Sequence, residues 1–300
     1  MPTSTSSPTA TPKPSILIQL DSDPQPSVFD GVVAVDSGVD HLFRHGGVQP
    51  DAVRDLVYGA LFTRGPADLR RTAIFVGGSS VVIGEAILKE VTKTFFANFR
   101  VSVLFDANGC NTTAAAAVLA ALEGAGGSLN GVTTAVLGGT GPVGQRVARL
   151  FGRLGAKVAL GSRRLDRAQA TVEMLGQANS GQFTPFSTSD EDTLANGLAG
   201  VQIVVAAGAA GATLLPEQVR RSLPHLKVAI DLNAVPPLGI EGISATDKGV
   251  DRGGVRAWGA LGVGGTKMKI HKKALQELFT TNDKVLDAEE ILELGRSTLG

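Results

Sequence analysis

Cysteine is almost missing from this chain. Cys110 stands alone, so no disulfide closes within the chain and no all-cysteine metal centre forms. A lone cysteine suits a reducing compartment, and the protein is read as cytoplasmic. Net charge is missing too: 28 basic residues balance 28 acidic ones, so nothing electrostatic draws the chain to nucleic acid or to an anionic membrane. No apolar run reaches the roughly 18 residues that a transmembrane helix needs, which removes the membrane as a partner. Residues 1–14 are dominated by Ser, Thr and Pro, with neither an apolar stretch nor a run of arginines. They are expected to form a disordered tail and not a targeting peptide. Glycine, by contrast, is abundant at 38 of 300 residues and lacks any collagen period, as in α/β chains with many tight strand-to-helix turns.

At about 150 residues per domain, the length suggests two domains. Short apolar runs at 15–20, 73–76 and 101–105 read as buried strands, and amphipathic segments at 50–61, 80–96 and 112–122 read as helices. Glu123-Gly-Ala-Gly-Gly-Ser128 breaks the pattern. It then resumes with strands at 133–137, 157–160, 201–205 and 228–232. The expected organisation is a first domain over 15–127 and a second over 128–265, complete as a sheet by Leu232. Two C-terminal helices (270–279 and 287–294) within 266–300 are expected to pack back on the first domain.

The strongest local signal is Gly139-Thr140-Gly141-Pro142-Val143-Gly144, a G-x-G-x-x-G match. Alone it means little in so glycine-rich a chain. Here a buried strand precedes it, an amphipathic helix follows, and a second strand closes the βαβ unit, the setting of a dinucleotide-binding Rossmann fold. Gly139 is expected to make the turn, Gly141 to admit the pyrophosphate and Gly144 to allow close helix packing. The competing reading is a glycine-rich turn without a ligand. Where an NAD enzyme places a carboxylate after the second strand, this chain has Ser162-Arg163-Arg164, which suits a ribose 2′-phosphate and favours NADP without excluding NAD. A solvated arginine pair is the plainer alternative.

Several catalytic devices are absent. Tyr58 is the only tyrosine and has Phe62 four residues on, so a Tyr-x-x-x-Lys proton relay is excluded. Gly259-Ala-Leu-Gly-Val-Gly264 lacks the Lys-Ser/Thr of a phosphate-binding P-loop. His41 and His45 share i,i+4 spacing without a third ligand, and no metal is expected. What remains are polar positions at strand ends, where open α/β sheets bind ligands. Asp106, Asn111 and Thr113 follow one strand; Ala207 and Gly208 follow another, beside the expected nicotinamide; Asn233 follows a third. Gly264 and Lys267 lie in a glycine-rich segment read as a flexible link carrying a cation between the domains.

These segments in order resemble bacterial methylene-tetrahydromethanopterin dehydrogenase. Its carriers include 26–30 with 36–41, Ala73-Ile-Phe-Val-Gly-Gly78, 106–115, 139–144, 233–240, 245–249 and Gly259-Ala-Leu-Gly-Val-Gly-Gly-Thr-Lys-Met-Lys269. The resemblance implies a two-domain fold with a pterin-and-nicotinamide cleft, a homo-oligomer, and oxidation of a methylene pterin by NAD(P). It implies Lys267, and polar groups near Asp30 and Thr113, as parts of the pterin site. Losing hydride from a carbon held between two nitrogens needs no general base, which agrees with the missing proton relay. Asp30 is then expected to stabilise the developing cation and Lys267 to bind the pterin or position an acidic partner. Other readings are a dehydrogenase acting on methylene-tetrahydrofolate, without cyclohydrolase activity, or on a shikimate-like alcohol, and an NADP-binding sensor without turnover.

Overall fold

The computed structural model describes residues 13–178 and 181–299, so the expected tail lies almost wholly outside the described residues. In chain order the elements are β1 (Ile16–Asp21), α1 (Val28–Asp36), β2 (His41–His45), α2 (Val53–Phe62), β3 (Thr72–Gly77) and α3 (Val81–Thr94). Next come β4 (Ser102–Phe105), α4 (Cys110–Gly124), β5 (Thr133–Leu137), α5 (Pro142–Arg153), β6 (Lys157–Ser162) and α6 (Leu165–Ala178). There follow β7 (Gln182–Ser187), α7 (Glu191–Gly197), β8 (Ile203–Ala206), α8 (Glu217–Ser222) and β9 (Val228–Asp231). The last are β10 (Lys248–Asp251), β11 (Arg256–Trp258), α9 (Ala260–Glu277), β12 (Val285–Leu286) and α10 (Ala288–Leu299).

The chain divides into two units, as its length suggests. The first comprises the residues up to Gly78 together with Val82–Leu104 and Leu275–Val285. Its sheet runs β12-β4-β3-β1-β2, and β1 pairs in parallel with both β2 and β3. All six residues of β3 are buried, as a central parallel strand covered on both faces requires.

The second unit, chiefly Phe105–Ala274 with the chain from Leu286, holds a seven-stranded sheet in the order β10-β11-β9-β8-β5-β6-β7. All its pairings are parallel except that of β10 with β11. From β7 to β11 this is a doubly wound Rossmann sheet, whose strand order reverses between β5 and β8. Apolar side chains of its strands and helices, among them Leu137, Val204, Ala229 and Leu215, form one core.

Three expectations change. The division falls near Phe105, not at 127/128, because α4 packs against α5 and α10 of the second unit. Ala114 to Ala117 are all fully buried, and at the helix end a Cβ on Gly124 would stand 2.6 Å from Val228. The C-terminal segment splits: the chain from Leu275 to Val285 belongs to the first unit, while α10 packs on α4 and α5 in the second. Finally, the second sheet is not complete by Leu232, since β11 and the antiparallel β10 extend it. Those strands are three and four residues long, and β10 is largely exposed, so neither carries an apolar run.

The dinucleotide-type loop shows why its glycines are needed. Gly138, one residue before the position expected to turn, takes φ +70°, and a Cβ there would lie 2.5 Å from the Cα of Gly208. Gly139 instead clears Leu160, and a Cβ on Gly144 would sit 2.6 Å from the carbonyl oxygen of Gly138 and 2.7 Å from the Cα of Gly139. Both neighbours of Gly144 are backbone and cannot rotate away. Gly144→Ala is therefore expected to lower stability by about 1–3 kcal/mol in urea unfolding, the usual effect of overpacking; an unchanged midpoint would contradict this tight helix-to-loop contact.

Candidate active site

A cavity of about 690 Å³ opens at the carboxyl ends of β5, β6 and β8, the switch point of the second sheet. It is lined by the turn into α5, with Gly138, Thr140, Gly141, Pro142 and Val143, and by Ala207 and Gly208 after β8. Pro142 stands at the first turn of α5, where its missing N–H costs nothing, and the helix N-terminus presents positive dipole and backbone donors. The residues present fit a dinucleotide, because bare glycine backbone forms the cradle that side chains would otherwise fill.

Ser162, Arg163 and Arg164 also line the cavity, and Arg167 and Thr188 join them. The Ser162 hydroxyl accepts the backbone N–H of Arg164 at 3.2 Å, which fixes the turn into α6. The exposed Arg164 guanidinium is held two-pronged by Asp166, with Nε–Oδ1 3.1 Å and Nη2–Oδ2 2.5 Å, and this pair holds the Asp166 carboxyl below its usual range. Arg167 stands in the first turn of α6, four residues after Arg163, and that spacing in the sequence was the signal for it. Asn233 and Gly264 do not line the cavity. Asn233 is buried and spends its side chain on its own loop, donating to the carbonyl of Pro237 and accepting from the N–H of Val235.

Just after β4, Asp106 is 2% exposed and braces the start of α4. Its Oδ1 accepts the N–H groups of Asn111 (2.9 Å) and Thr112 (3.0 Å), and its Oδ2 accepts the Thr112 hydroxyl (2.6 Å). It thus satisfies donors that a helix N-terminus leaves open. Burial pushes its carboxyl up to about 6, opposed by the charge of Lys267 and by the bonds from Thr112 and Asn111. Asn111 is fully buried and fully used: its amide donates to the Phe105 carbonyl and to Asp287 Oδ1, and its oxygen accepts from Arg146 Nε. The expected substrate contacts at Asp106 and Asn111 give way to internal bonding. Thr113 is only half-buried and donates to the carbonyl of Gly109 at 2.6 Å.

Lys267 does not lie on a flexible link. The glycine-rich segment is the first part of α9, and its glycines serve close packing: a Cβ on Gly262 would stand 1.8 Å from the carbonyl oxygen of Asp247. From α9 the half-buried Lys267 reaches Gly109, where a Cβ would lie 2.4 Å from its Nζ. The preceding residue, Asn108, lines the dinucleotide cavity in the left-handed conformation (φ +52°). Its Asn-Gly pair was the available signal. The second unit therefore brings together Asp106, Thr113 and Lys267 beside the cavity wall. Asp30 belongs to the first unit, in the first turn of α1, where its N–H is capped by Ser27. Among the described residues no three His, Cys, Asp or Glu side chains cluster to hold a metal, and no helix is long and apolar enough to cross a membrane.

Residues 28–108 match the family model described as methylene-tetrahydromethanopterin dehydrogenase, N-terminal. Along nearly the whole chain, two Methylorubrum extorquens proteins are similar. One, named "Bifunctional protein MdtA", is 46% identical, covering 94% of this chain and 98% of its own. The other, named "NAD(P)-dependent methylenetetrahydromethanopterin dehydrogenase", is 32% identical, covering 95% and 99%. This chain belongs to the methylene-tetrahydromethanopterin dehydrogenase family. It is an oxidoreductase, and the resemblance read from its motifs holds. The fold is also that of shikimate 5-dehydrogenase from Listeria monocytogenes, solved with shikimate and NAD, at a TM-score of 0.55, 15% identity and 96% coverage of both chains.

Asp106 gives this family member a testable pH signature. Its carboxyl titrates near 6 in the folded state and near 3.8 when unfolded, so between those values the folded state binds more protons and this group's contribution to stability falls as pH rises. Asp106→Asn removes that dependence. Relative to the parent, the variant is expected to gain roughly 2–3 kcal/mol of unfolding free energy between pH 4 and pH 7, read by urea titration; a constant difference would contradict the burial of an ionisable carboxyl.

Proposed function

We propose that this protein removes hydride from the one-carbon unit of methylene-tetrahydromethanopterin and delivers it to NADP, yielding the methenyl pterin in one-carbon (formaldehyde) oxidation. The observation that carries the reading is a juxtaposition within the second unit. Asn108 lines the dinucleotide cavity, and its neighbour Gly109 touches the ammonium of Lys267. The printed name of the 32% identical relative supports the pterin class.

NADP supplies the hydride acceptor when bound. The turn of Thr140, Gly141, Pro142 and Val143, with Gly139 and Gly144 packed behind it, is assigned to the pyrophosphate. Ser162, Arg163 and Arg164, joined by Arg167, would hold the ribose 2′-phosphate, and Ala207 and Gly208 would line the nicotinamide half.

The methylene carbon loses hydride while its two flanking nitrogens share the positive charge, so no proton is transferred. Orientation and electrostatics carry the step. Lys267 is the proposed hydrogen-bond donor to the pterin. A bare ammonium would repel the developing cation, and the negative charge of the buried Asp106 offsets it. Thr113 offers a polar contact at the same place. The reading includes a cytoplasmic homo-oligomer. The exposed Val28, Val32 and Val35, spaced i,i+4,i+7 along α1, support a further contact surface.

The deciding assay is reduced-nicotinamide formation from methylene-tetrahydromethanopterin and from methylene-tetrahydrofolate, each with NADP and NAD. The expected winner is the methanopterin substrate with NADP. A preference for the folate substrate would replace the substrate assignment, and coenzyme binding without turnover on either would leave a sensor. The coenzyme assignment has its own check. The double substitution of Arg163→Ala and Arg164→Ala is expected to weaken NADP binding about 100-fold while changing NAD binding less than about threefold. Equal losses for both coenzymes would show that the arginines act through folding.

A further inference from the structure

Asn108 and Gly109 present a comparison made by the chain itself. Both residues are left-handed, at φ +52° and φ +59°, yet one carries a side chain. This loop therefore tolerates a Cβ in that conformation, and backbone freedom alone does not account for glycine at 109. What separates the two positions is space: a Cβ on Gly109 would stand 2.4 Å from Lys267 Nζ and 3.1 Å from Lys267 Cε. The ammonium occupies the place of the missing methyl.

The root of Lys267 is equally constrained. The N–H groups of Leu261 and Gly262 both donate to the carbonyl of Ala245, and Gly262 has no room for a side chain against Asp247. The first turns of α9 are thus clamped to the loop before β10, and the free length of the lysine is spent reaching Gly109. Asp106, which precedes this loop, is buried and bonded through both oxygens to the start of α4. The charged groups around that carboxylate are Lys267 from α9, Arg146 from α5, which is bonded to Asn111 and to the carbonyl of Pro142, and Asp287 from α10, which takes the Asn111 amide. The charge of Lys267 favours the ionised form of Asp106.

We propose that Gly109 and Asp106 are positioning residues for Lys267: the absent side chain at 109 leaves the seat that the ammonium occupies, and the negative charge of the buried carboxylate favours it there. The proposal rests on the reading of Lys267 as the pterin-binding cation. It adds the reason that a flexible lysine keeps one place beside the dinucleotide cavity. Arginine does not fit that seat, since a planar guanidinium is wider than an ammonium.

The test uses the full-length protein and two separate readouts. The first is the rate at which Lys267 is acetylated by a water-soluble reagent, followed by mass spectrometry with Lys272 and Lys273 as internal references. Gly109→Ala and Asp106→Asn are each expected to raise the Lys267 rate at least about threefold against those references; unchanged rates in both would overturn the proposal, whatever the activity. Asp106→Asn retains an oxygen for the N–H groups of α4, so it guards against a Gly109→Ala chain that fails to fold. The second readout is a double-substitution cycle on turnover. Either substitution is expected to lower kcat about tenfold, with NADPH affinity by fluorescence unchanged within about twofold. In a Lys267→Ala background each is expected to have less than about a twofold effect. The same loss with and without Lys267 would show that the substitutions act through loop strain, and would overturn the proposal. If Lys267→Ala itself turns over like the parent, the catalytic reading of Lys267 fails, and the acetylation rates still decide whether the seat exists.

Discussion

A carboxylate removed from water governs the geometry of this molecule's second unit. Asp106 stands at the carboxyl end of β4 with 2% of its surface exposed, and an ion so placed is tolerated only when its oxygens are bonded and its charge is opposed. The start of α4 supplies the bonds, through Asn111 and Thr112, and α9 supplies the charge, through Lys267. The same group therefore anchors the start of α4, immediately after Asn108 at the dinucleotide cavity. Asn111 carries the constraint onward, from Arg146 on the coenzyme helix to Asp287 at the start of α10.

Glycine completes that arrangement by close approach more than by flexibility. Gly138 turns at positive φ against Gly208, Gly144 lets α5 meet the loop, Gly262 lets α9 meet Asp247, and Gly109 admits Lys267. A Cβ at any of these four positions would fall within 2.7 Å of another atom, so the abundance of glycine reports packing distances. Such precision of placement is what the proposed hydride transfer requires, because there orientation replaces acid and base.

Much of this was legible in the residues. The βαβ unit around 133–160 declared itself through strand, glycines and amphipathic helix together, and Ser162-Arg163-Arg164 stood where a carboxylate was missing. Less visible were elements whose local chemistry contradicts their structure. α9 begins Ala260-Leu-Gly-Val-Gly-Gly265, a composition that favours a loop, and becomes a helix because tertiary contacts with 244–247 reward the missing side chains. β2 and β10 are mostly exposed strands at sheet edges, with no apolar alternation to mark them. α4 was visible as a helix but not as a member of the second unit, since a helix buried almost all round shows no single face from which its partner can be read. The inward bonding of Asp106 and Asn111 was hidden because a polar residue at a strand end looks alike whether it meets a ligand or a helix terminus.

The central claim is that the reaction proceeds by direct hydride transfer in a site that orients and neutralises without exchanging a proton. The most direct measurement follows deuterium placed on the methylene carbon of the pterin substrate through one turnover, with the reduced coenzyme and the water both analysed by mass spectrometry. The account predicts that the transferred deuterium is recovered in the nicotinamide ring and none of it in water. Label appearing in the solvent during turnover would contradict it and would require a proton acceptor among the residues of the site.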